Sequence, residues 1–415
     1  MRSFYLQSLG FLLLTLLLLT STQVADSRNK STHELATQNI RLSSGKDEIP
    51  KDRPVGTFLQ SLLDTFHQTN PQNELWRDAQ PQEAATIRQN EKGGPRNFRP
   101  LTLNLEVLEA KLLQAPKESS ETAANKVTLS LPVPDGSFMN FDFQESSIME
   151  EALAQRYPEI KTYRGQGIDD PTAITRFDWT PQGFHAIILS TRGTILIEPE
   201  TQGHGANYIA YFQSEMPKGS GECDTQDSGE GPKLDLSMRP SAVSGSALRS
   251  YRLAVAATAE YTATYGGGTV PGGLAAITTT INLVDAIYER EVAIRLVLVA
   301  NEDSIIFTDT ATDGYTSDNQ NAMFNENQTK LDAVIGDANY DIGHVFDGRT
   351  LAGGSFSWRG VAAIGSVCRS VLKGRGVSIT RSINPANLYA YYSTAHEMGH
   401  QFGASHTFNA TTGDC

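Results

Sequence analysis

The sequence predicts two folded units in series, an antiparallel β domain over residues 96–215 and an α/β unit over residues 250–415. Between residues 101 and 215, short alternating or apolar runs are separated by Gly, Pro and Asp, which is typical of antiparallel strands. From Tyr251 onward, apolar runs alternate with longer segments of helical periodicity, which predicts a twisted mixed sheet with helices packed on it. Residues 216–249 are rich in Gly, Ser and Pro, so we expect a linker between the two units.

The first 25 residues have the composition of a signal peptide. A basic residue, Arg2, precedes an apolar core of about a dozen residues, and a small, polar stretch follows. A single-span membrane anchor is the alternative, although the core is short for a bilayer. We therefore expect a secreted, extracellular protein that has no membrane contact once the signal is removed.

Residues 26–95 form a polar segment with few aromatic residues, which predicts a partly helical or disordered region without a dense core. The stretch "NEKGGPRNFRP" marks its expected boundary with the β domain. The strands of that domain are predicted in the runs "KVTLSLPVP", "FMNFDFQ", "GFHAIILST", "GTILIEPE" and "NYIAYFQ".

The α/β unit is predicted to begin with a strand in "YRLAVAAT" and a helix in "GLAAITTTINLVDAIYERE". A buried strand in "VAIRLVLVA" and a helix in "SDNQNAMFNENQTKLDAVIGD" follow. The remaining elements are expected in "YDIGHVFDG", "GVAAIGSV" and a last helix in "NLYAYYSTAHEMGHQFG".

The charge excludes one class of partner. With 34 Lys and Arg against 47 Asp and Glu, the formal net charge is -13, and no basic run is interleaved with aromatic residues. A nucleic-acid interface is therefore not expected, because phosphate contacts need clustered cations. The sequence does not indicate an oligomeric state.

The stretch "AHEMGHQFGASH" carries the chemistry. A helix places His396 and His400 side by side, where two imidazoles can chelate one zinc ion. Glu397 lies about a hundred degrees round the helix, where it can act as general base on a metal-bound water. A helix end at Gly403 would let His406 approach the same metal, and three imidazoles leave a fourth tetrahedral position open.

The extended pattern resembles that of the metzincin metallopeptidases. "GVAAIGSVC" followed by "GVSIT" is similar to the reprolysin, or adamalysin, branch, and the last residues look most like bacterial secreted enzymes of that branch. One residue departs, since typical reprolysins have aspartate directly after the third histidine and this chain has Thr407. The resemblance implies that residues 250–415 form a metzincin upper subdomain of α/β (α+β) class. It also implies that the β-rich region upstream is a pro-domain.

The resemblance implies a secreted zinc endopeptidase precursor that binds protein or peptide substrates and is inhibited by its own pro-domain. One catalytic zinc ion is expected, and a structural calcium ion is left open. Metzincins also have a methionine-containing turn after the zinc helix, but no Met follows Met398. We therefore expect the sequence to be a fragment or a truncated product. The alternative function is a catalytically silent secreted binding protein.

The resemblance also predicts a substrate strand. An edge strand offers unpaired backbone groups to an extended peptide. The expected strand comprises Gly360, Val361, Ala362, Ala363, Ile364 and Gly365. An interior core strand is the alternative.

The chain contains three cysteines. Cys223, in "MPKGSGECD", resembles the cysteine of related precursors whose thiolate occupies the fourth zinc position, although the match to a Pro-Lys-x-Cys segment is loose. The alternatives are a linker cysteine that pairs with another thiol or stays free. Cys368 and Cys415 resemble cysteines that pair further downstream in the family, and a bond between the two is the fallback.

Overall fold

A computed structural model describes residues 74–90, 94–118, 127–217, 220–225, 247–350, 357–382 and 390–406. All described residues lie in one compact unit, Pro71–Cys415. The predicted signal peptide, Thr407 and Cys415 lie outside the described residues.

The first half of the described chain forms a nine-stranded antiparallel sheet of order β1-β2-β9-β8-β7-β6-β5-β4-β3. It starts at Trp76, within the segment before residue 95 that the sequence predicts as polar. Its strands are β1 (Trp76–Asp78), β2 (Arg99–Leu103), β3 (Val127–Pro132), β4 (Phe138–Glu145), β5 (Lys161–Gly167), β6 (Ile174–Thr180), β7 (Gly183–Ser190), β8 (Gly193–Pro199) and β9 (Asn207–Phe212). Where the chain is described, three α-helices accompany it, α1 (Pro81–Asn90), α2 (Leu105–Leu112) and α3 (Glu151–Arg156).

Two hydrophobic layers cover the two faces of this N-terminal sheet. One is an aromatic core that includes Phe141, Phe177, Phe184 and Tyr208. The other is shared with the second half of the chain and includes Ile187. Strand β7 is buried along its whole length, which explains why "GFHAIILS" is a nearly continuous apolar run rather than an alternating one.

The second half forms a six-stranded mixed sheet of order β10-β14-β15-β13-β11-β12. Strands β11, β12, β13 and β15 run parallel, β14 is antiparallel to β15, and β10 is parallel to β14. The strands are β10 (Ser220–Cys223), β11 (Arg249–Ala257), β12 (Ile294–Leu298), β13 (Ile342–Thr350), β14 (Ser357–Ala362) and β15 (Gly376–Ser382). The mixed sheet predicted from Tyr251 onward is present, and a short strand from the predicted linker joins it.

In the described residues of the second half there are four α-helices, α4 (Ala259–Tyr265), α5 (Val270–Val292), α6 (Gln320–Val334) and α7 (Ala390–Gln401). The long helix α5 is capped at its N-terminus by Thr269, whose side chain accepts a hydrogen bond from the Gly272 amide, and at its C-terminus by Ala293, which has a left-handed φ of 53°. One side of α5 packs on β6 and β7, and it also contacts β12 and α7. It is therefore buried between the two halves.

Helix α5 is the one helix in the described part of the chain that is long and apolar enough to cross a membrane. However, 78% of its most apolar window is buried inside the structure, as in the core helix of a soluble fold. This finding is therefore weak support for a membrane span.

Candidate metal centre

Helix α7 presents the first two histidines, and its end delivers the third. At its C-terminus the Ala404 amide donates to the Gly399 carbonyl and the Gly403 amide to the His400 carbonyl, with Gly403 at a φ of 104°. These paired bonds and the left-handed glycine are the Schellman ending of a helix. The chain reverses there, which brings His406 back towards His400, as the glycine in the sequence predicts.

The three imidazoles converge through their Nε2 atoms. The Nε2 atom of His400 lies 3.2 Å from that of His396 and 3.1 Å from that of His406. The Sγ atom of Cys223 lies 3.6 Å from the same His400 nitrogen. All four donor atoms lie within 4.8 Å of one another. The structure thus brings together the four residues that the sequence predicts as metal ligands.

The donor set fits one tetrahedral zinc ion. With Zn–N bonds of about 2.0–2.1 Å and Zn–S bonds of about 2.3 Å, the edges between donors are about 3.4 Å for two nitrogens and about 3.6 Å for nitrogen and sulfur. The three separations measured from the His400 Nε2 atom lie within about 0.3 Å of these edges. Three histidines and one cysteine are also the donor types that zinc prefers.

Two features keep the imidazoles in the form that binds metal. The Nδ1 atom of His400 lies 2.7 Å from the Ala404 carbonyl oxygen, so this nitrogen carries the proton and leaves Nε2 as a donor. Burial, together with the neighbouring His400 and His406, lowers the pKa of His396 to about 4. The ring is therefore neutral at physiological pH.

Glu397 lies next to the histidines and is fully buried. Burial raises the pKa of its carboxyl group to about 8, although hydrogen bonds from Cys223 and Thr225 act in the opposite direction. The carboxyl group packs directly against Gly360, where a Cβ atom would lie 2.2 Å from its Oε1 atom. Glycine at position 360 is therefore what allows this carboxyl group to sit under β14.

The residues Ser220–Thr225, here called the latch segment, lie along the outer side of β14. Strand β10 pairs with β14 from Ser220 opposite Ser357 to Cys223 opposite Gly360. The Asp224 amide then donates to the Gly360 carbonyl at 2.9 Å. Because β14 has β15 on its other side, the latch segment covers its remaining backbone groups.

Side chains of the latch segment add further contacts. The Thr225 Oγ1 atom accepts the Ala362 amide at 2.9 Å and lies 3.3 Å from the Glu397 Oε2 atom. The Asp224 carboxylate accepts from Gln320 at 2.7 Å and from Asn321 at 3.2 Å, both in the first turn of α6. The latch segment therefore contacts a predicted metal ligand, the predicted general base and the β14 backbone at once.

The structure differs in part from the predicted substrate strand. Gly360, Val361 and Ala362 belong to β14, but Ala363, Ile364 and Gly365 follow it in a turn. Gly365 has a φ of 62°, and its amide donates to the His400 carbonyl at 2.9 Å. This left-handed residue ends the extended backbone and ties the turn to α7.

One contact that supports the histidine motif is not expected from the sequence. His344 lies in β13, outside the histidine motif, but its Nδ1 atom lies 3.0 Å from the Gln401 Oε1 atom and its Nε2 atom 2.9 Å from the Ser378 hydroxyl. It therefore positions the residue next to His400. Burial lowers the pKa of His344 to about 4. No local pattern could have revealed this contact, since 57 residues separate the two partners.

Comparison with known proteins assigns this part of the chain. Residues 274–407 match the family model described as "Metallo-peptidase family M12B Reprolysin-like". This segment is a reprolysin-like metallopeptidase. The matched residues run from α5 through all three histidines, and the family implies zinc at the site that they form. The mixed α/β architecture of the reprolysin-like unit is consistent with a metalloprotease domain.

Solved structures give a weaker likeness. The chain is similar to metalloproteinase-II from Bacteroides fragilis, with a TM-score of 0.40 and 12% identity over 77% of this chain and 88% of that one. A similarity at this level carries no argument about function. No curated protein sequence matches the chain.

Proposed function

We propose that the chain is the precursor of a secreted zinc-dependent endopeptidase, held latent by its own N-terminal half. The observation that carries this proposal is the convergence of His396, His400 and His406 beside the buried carboxyl group of Glu397. When bound there, zinc supplies a Lewis acid that polarises a peptide carbonyl and makes a water more acidic.

Glu397 is the general base in this proposal. Its carboxylate takes a proton from the attacking water and returns it to the leaving amine. Burial favours the neutral carboxyl group, whereas a cation nearby favours the carboxylate that the reaction needs. Gly360 keeps the group in place because a larger residue would occupy its space.

The latch segment supports the proposal of latency. Burial and the Glu397 carboxyl group raise the pKa of the Cys223 thiol to about 12, but coordination to zinc deprotonates a thiol. Cys223 would then fill the fourth zinc position. Thr225 at the same time occupies the Ala362 amide and the general base.

A peptide substrate is proposed to use the strand edge that the latch segment covers. The backbone of Gly360, Val361 and Ala362 would pair with an extended chain in place of the latch segment, which pairs with Gly360 through its backbone and binds the Ala362 amide through the Thr225 hydroxyl. The N-terminal half is then the natural competitor of a substrate.

Two substitutions test the site in the full-length protein, and turnover is compared in a Cys223→Ser parent that lacks the latch thiol. Glu397→Gln is expected to keep the metal and lower peptide hydrolysis at least about a hundredfold, because an amide cannot accept the proton. His406→Ala is expected to lower the zinc content after dialysis, whereas His204→Ala, in the connection between β8 and β9, leaves it unchanged. Turnover that survives in Glu397→Gln, or full zinc in His406→Ala, would contradict the proposed roles. If the Cys223→Ser protein binds zinc but hydrolyses no peptide, the alternative function, a catalytically silent binding protein, would be favoured.

A further inference from the structure

We propose that the N-terminal sheet stays bound to the reprolysin-like unit after the chain is cut between residues 226 and 246. A second contact, at the opposite edge of the six-stranded sheet from the histidines, holds it there. The inference rests on the proposed function only in treating the N-terminal sheet as an inhibitor. The association itself follows from packing and hydrogen bonds.

The two halves share one hydrophobic core. Fully buried residues of the N-terminal sheet and its loops lie in the same cluster as residues of α5 and β12. The members of this shared core include Ile148, Leu153, Ile187, Leu196 and Ile209 from the first half and Leu274, Ile277, Ile281, Leu296 and Leu298 from the second. Such a contact is like a domain core divided in two, which is typical of permanent interfaces.

Backbone hydrogen bonds extend this core to the outer edge of β12. The Leu298 amide donates to the Ile148 carbonyl at 2.7 Å, and the Glu150 amide donates to the Leu298 carbonyl at 2.9 Å. The Glu150 carboxylate accepts the Ala300 amide at 2.8 Å. A stretch of the first half thus occupies an edge that would otherwise present unpaired groups.

Polar side chains add further bonds next to the end of β12. The Arg156 guanidinium binds both carboxylate oxygens of Asp303, at 3.1 and 2.9 Å, and the Ala300 carbonyl at 2.6 Å. The Tyr157 hydroxyl donates to Asp303 at 3.1 Å. We call the contacts of residues 148–157 with residues 298–303 the clasp.

A buried set of ion pairs lies beside the clasp. Arg176 of β6 is 1% exposed and binds Glu289 at 2.6 Å and Asn282 at 2.8 Å, both on α5. Arg295 of β12 binds Glu118 through two bonds, at 2.8 and 3.0 Å, and also pairs with Glu289. Separation of the halves would break the Arg176–Glu289 and Arg295–Glu118 pairs, which opposes release.

Because the latch segment precedes the linker in the sequence, the association of the two halves also keeps the latch segment at the histidines after the linker is cut. The latch segment ends at Thr225, so a cut between 226 and 246 leaves it attached to the N-terminal sheet. β9 ends at Phe212, only a few residues before the latch segment begins. A bound sheet therefore keeps the latch at high effective concentration beside the histidines. Cutting the linker alone therefore does not uncover the histidines and the β14 backbone.

The experiment introduces a recognition site for a sequence-specific protease within residues 226–246 and follows the full-length protein after cleavage. On size-exclusion chromatography at micromolar concentration and physiological salt, the two pieces are expected to elute together, while a denaturing gel shows both. Separate elution of pieces that retain their circular dichroism would overturn the proposal.

Substitutions identify which contact holds the pieces. In the cut protein, Arg176→Met is expected to raise the dissociation constant at least about thirtyfold, since it removes the buried bonds to Glu289 and Asn282 that cross between the halves. Arg156→Ala, in a partly exposed pair, is expected to raise it up to about fivefold. Arg192→Ala is the matched control, because Arg192 pairs with Asp135 inside the N-terminal sheet.

Cys223→Ser distinguishes the clasp from the latch. We expect the dissociation constant to change less in this variant than in Arg176→Met. Release by Cys223→Ser together with retention in Arg176→Met would overturn the proposal. All of these measurements record association, so they can fail while Glu397→Gln and His406→Ala still support a zinc peptidase, and the reverse also holds.

Discussion

The five strands from β14 to β12 leave two edges, at β14 and at β12, and residues before position 226 cover both of them in different ways. At the β14 edge the cover is the latch segment, a single extended strand held by backbone bonds and polar side chains. At the β12 edge the cover is the clasp, which lies on the shared hydrophobic core and beside buried ion pairs. One cover lies over the candidate site, and the other lies over a purely structural edge.

The two edges differ in how strongly the N-terminal half is bound, because the latch segment is held by backbone bonds and polar side chains and the clasp by buried apolar groups. The outer pair of the latch segment, Glu222 with Arg359, has side chains that are 60% and 38% exposed, and exposed pairs contribute little. The clasp buries apolar groups, whose contribution scales with the area removed from water. We infer that the contacts at β12 hold the two halves together and that the contacts at β14 control access to the histidines.

The largest expected effect comes from placing a charge in the shared core. Ile148→Asp puts a carboxylate at a fully buried position beside β12, and we expect unfolding free energy to fall by about 4 kcal/mol. Urea denaturation followed by circular dichroism measures it. The matched control is Ile168→Asp, because Ile168 is 45% exposed, and it should change stability by less than about 0.5 kcal/mol. An equal fall in unfolding free energy in both variants would contradict a stabilising role for the packing of Ile148 beside β12.

Acid should weaken the β12 edge only at low pH. Burial acts to raise the pKa of Glu118, but hydrogen bonds from Arg295 and Ser146 outweigh it and lower the pKa from 4.5 to about 2. As the pH falls below 4.5 the unfolded chain takes up a proton before the folded chain does. The stability from this carboxylate is therefore complete above about 4.5 and lost between 4.5 and 2.

The substitution Glu118→Gln tests this pH dependence. At pH 7 it is expected to cost about 2 kcal/mol of unfolding free energy, and the difference from the parent should shrink as the pH falls from 4.5 towards 2. Urea titrations of both proteins across this range provide the comparison. A difference that stays constant with pH would show that Glu118 acts through packing rather than charge.

The smallest effect is expected at the β14 edge. Thr225→Val keeps the shape of the side chain but removes the oxygen that accepts the Ala362 amide, a loss of about 1 kcal/mol. Hydrogen exchange of that amide should become about fivefold faster in the metal-free protein. Thr86→Val is the control, since the Thr86 hydroxyl bonds within α1. Unchanged exchange at Ala362 would remove Thr225 from the latch contacts.

The sequence predicted what depends on local periodicity. The antiparallel strands follow from alternation and turn residues, and the end of α7 follows from Gly403. Contacts between distant segments could not be predicted in this way. Thr225 and Glu397 are 172 residues apart, and the pairing of β10 with β14 depends on the packing of the whole chain. The end of β14 was missed because the left-handed φ of Gly365 is not visible in a run of apolar residues.

The burial of α5 also sets an order for protein synthesis. A ribosome completes β1 to β9 before it reaches Thr269, so the surface that covers this helix is made first. The apolar window of α5 would otherwise enter solution with the hydropathy of a membrane span, a form that favours aggregation. Because the cover belongs to the same molecule, every newly made helix has one partner available at once. A gene that began at β11 would produce the same helix without its cover, and the first half would then have to be supplied as a separate chain.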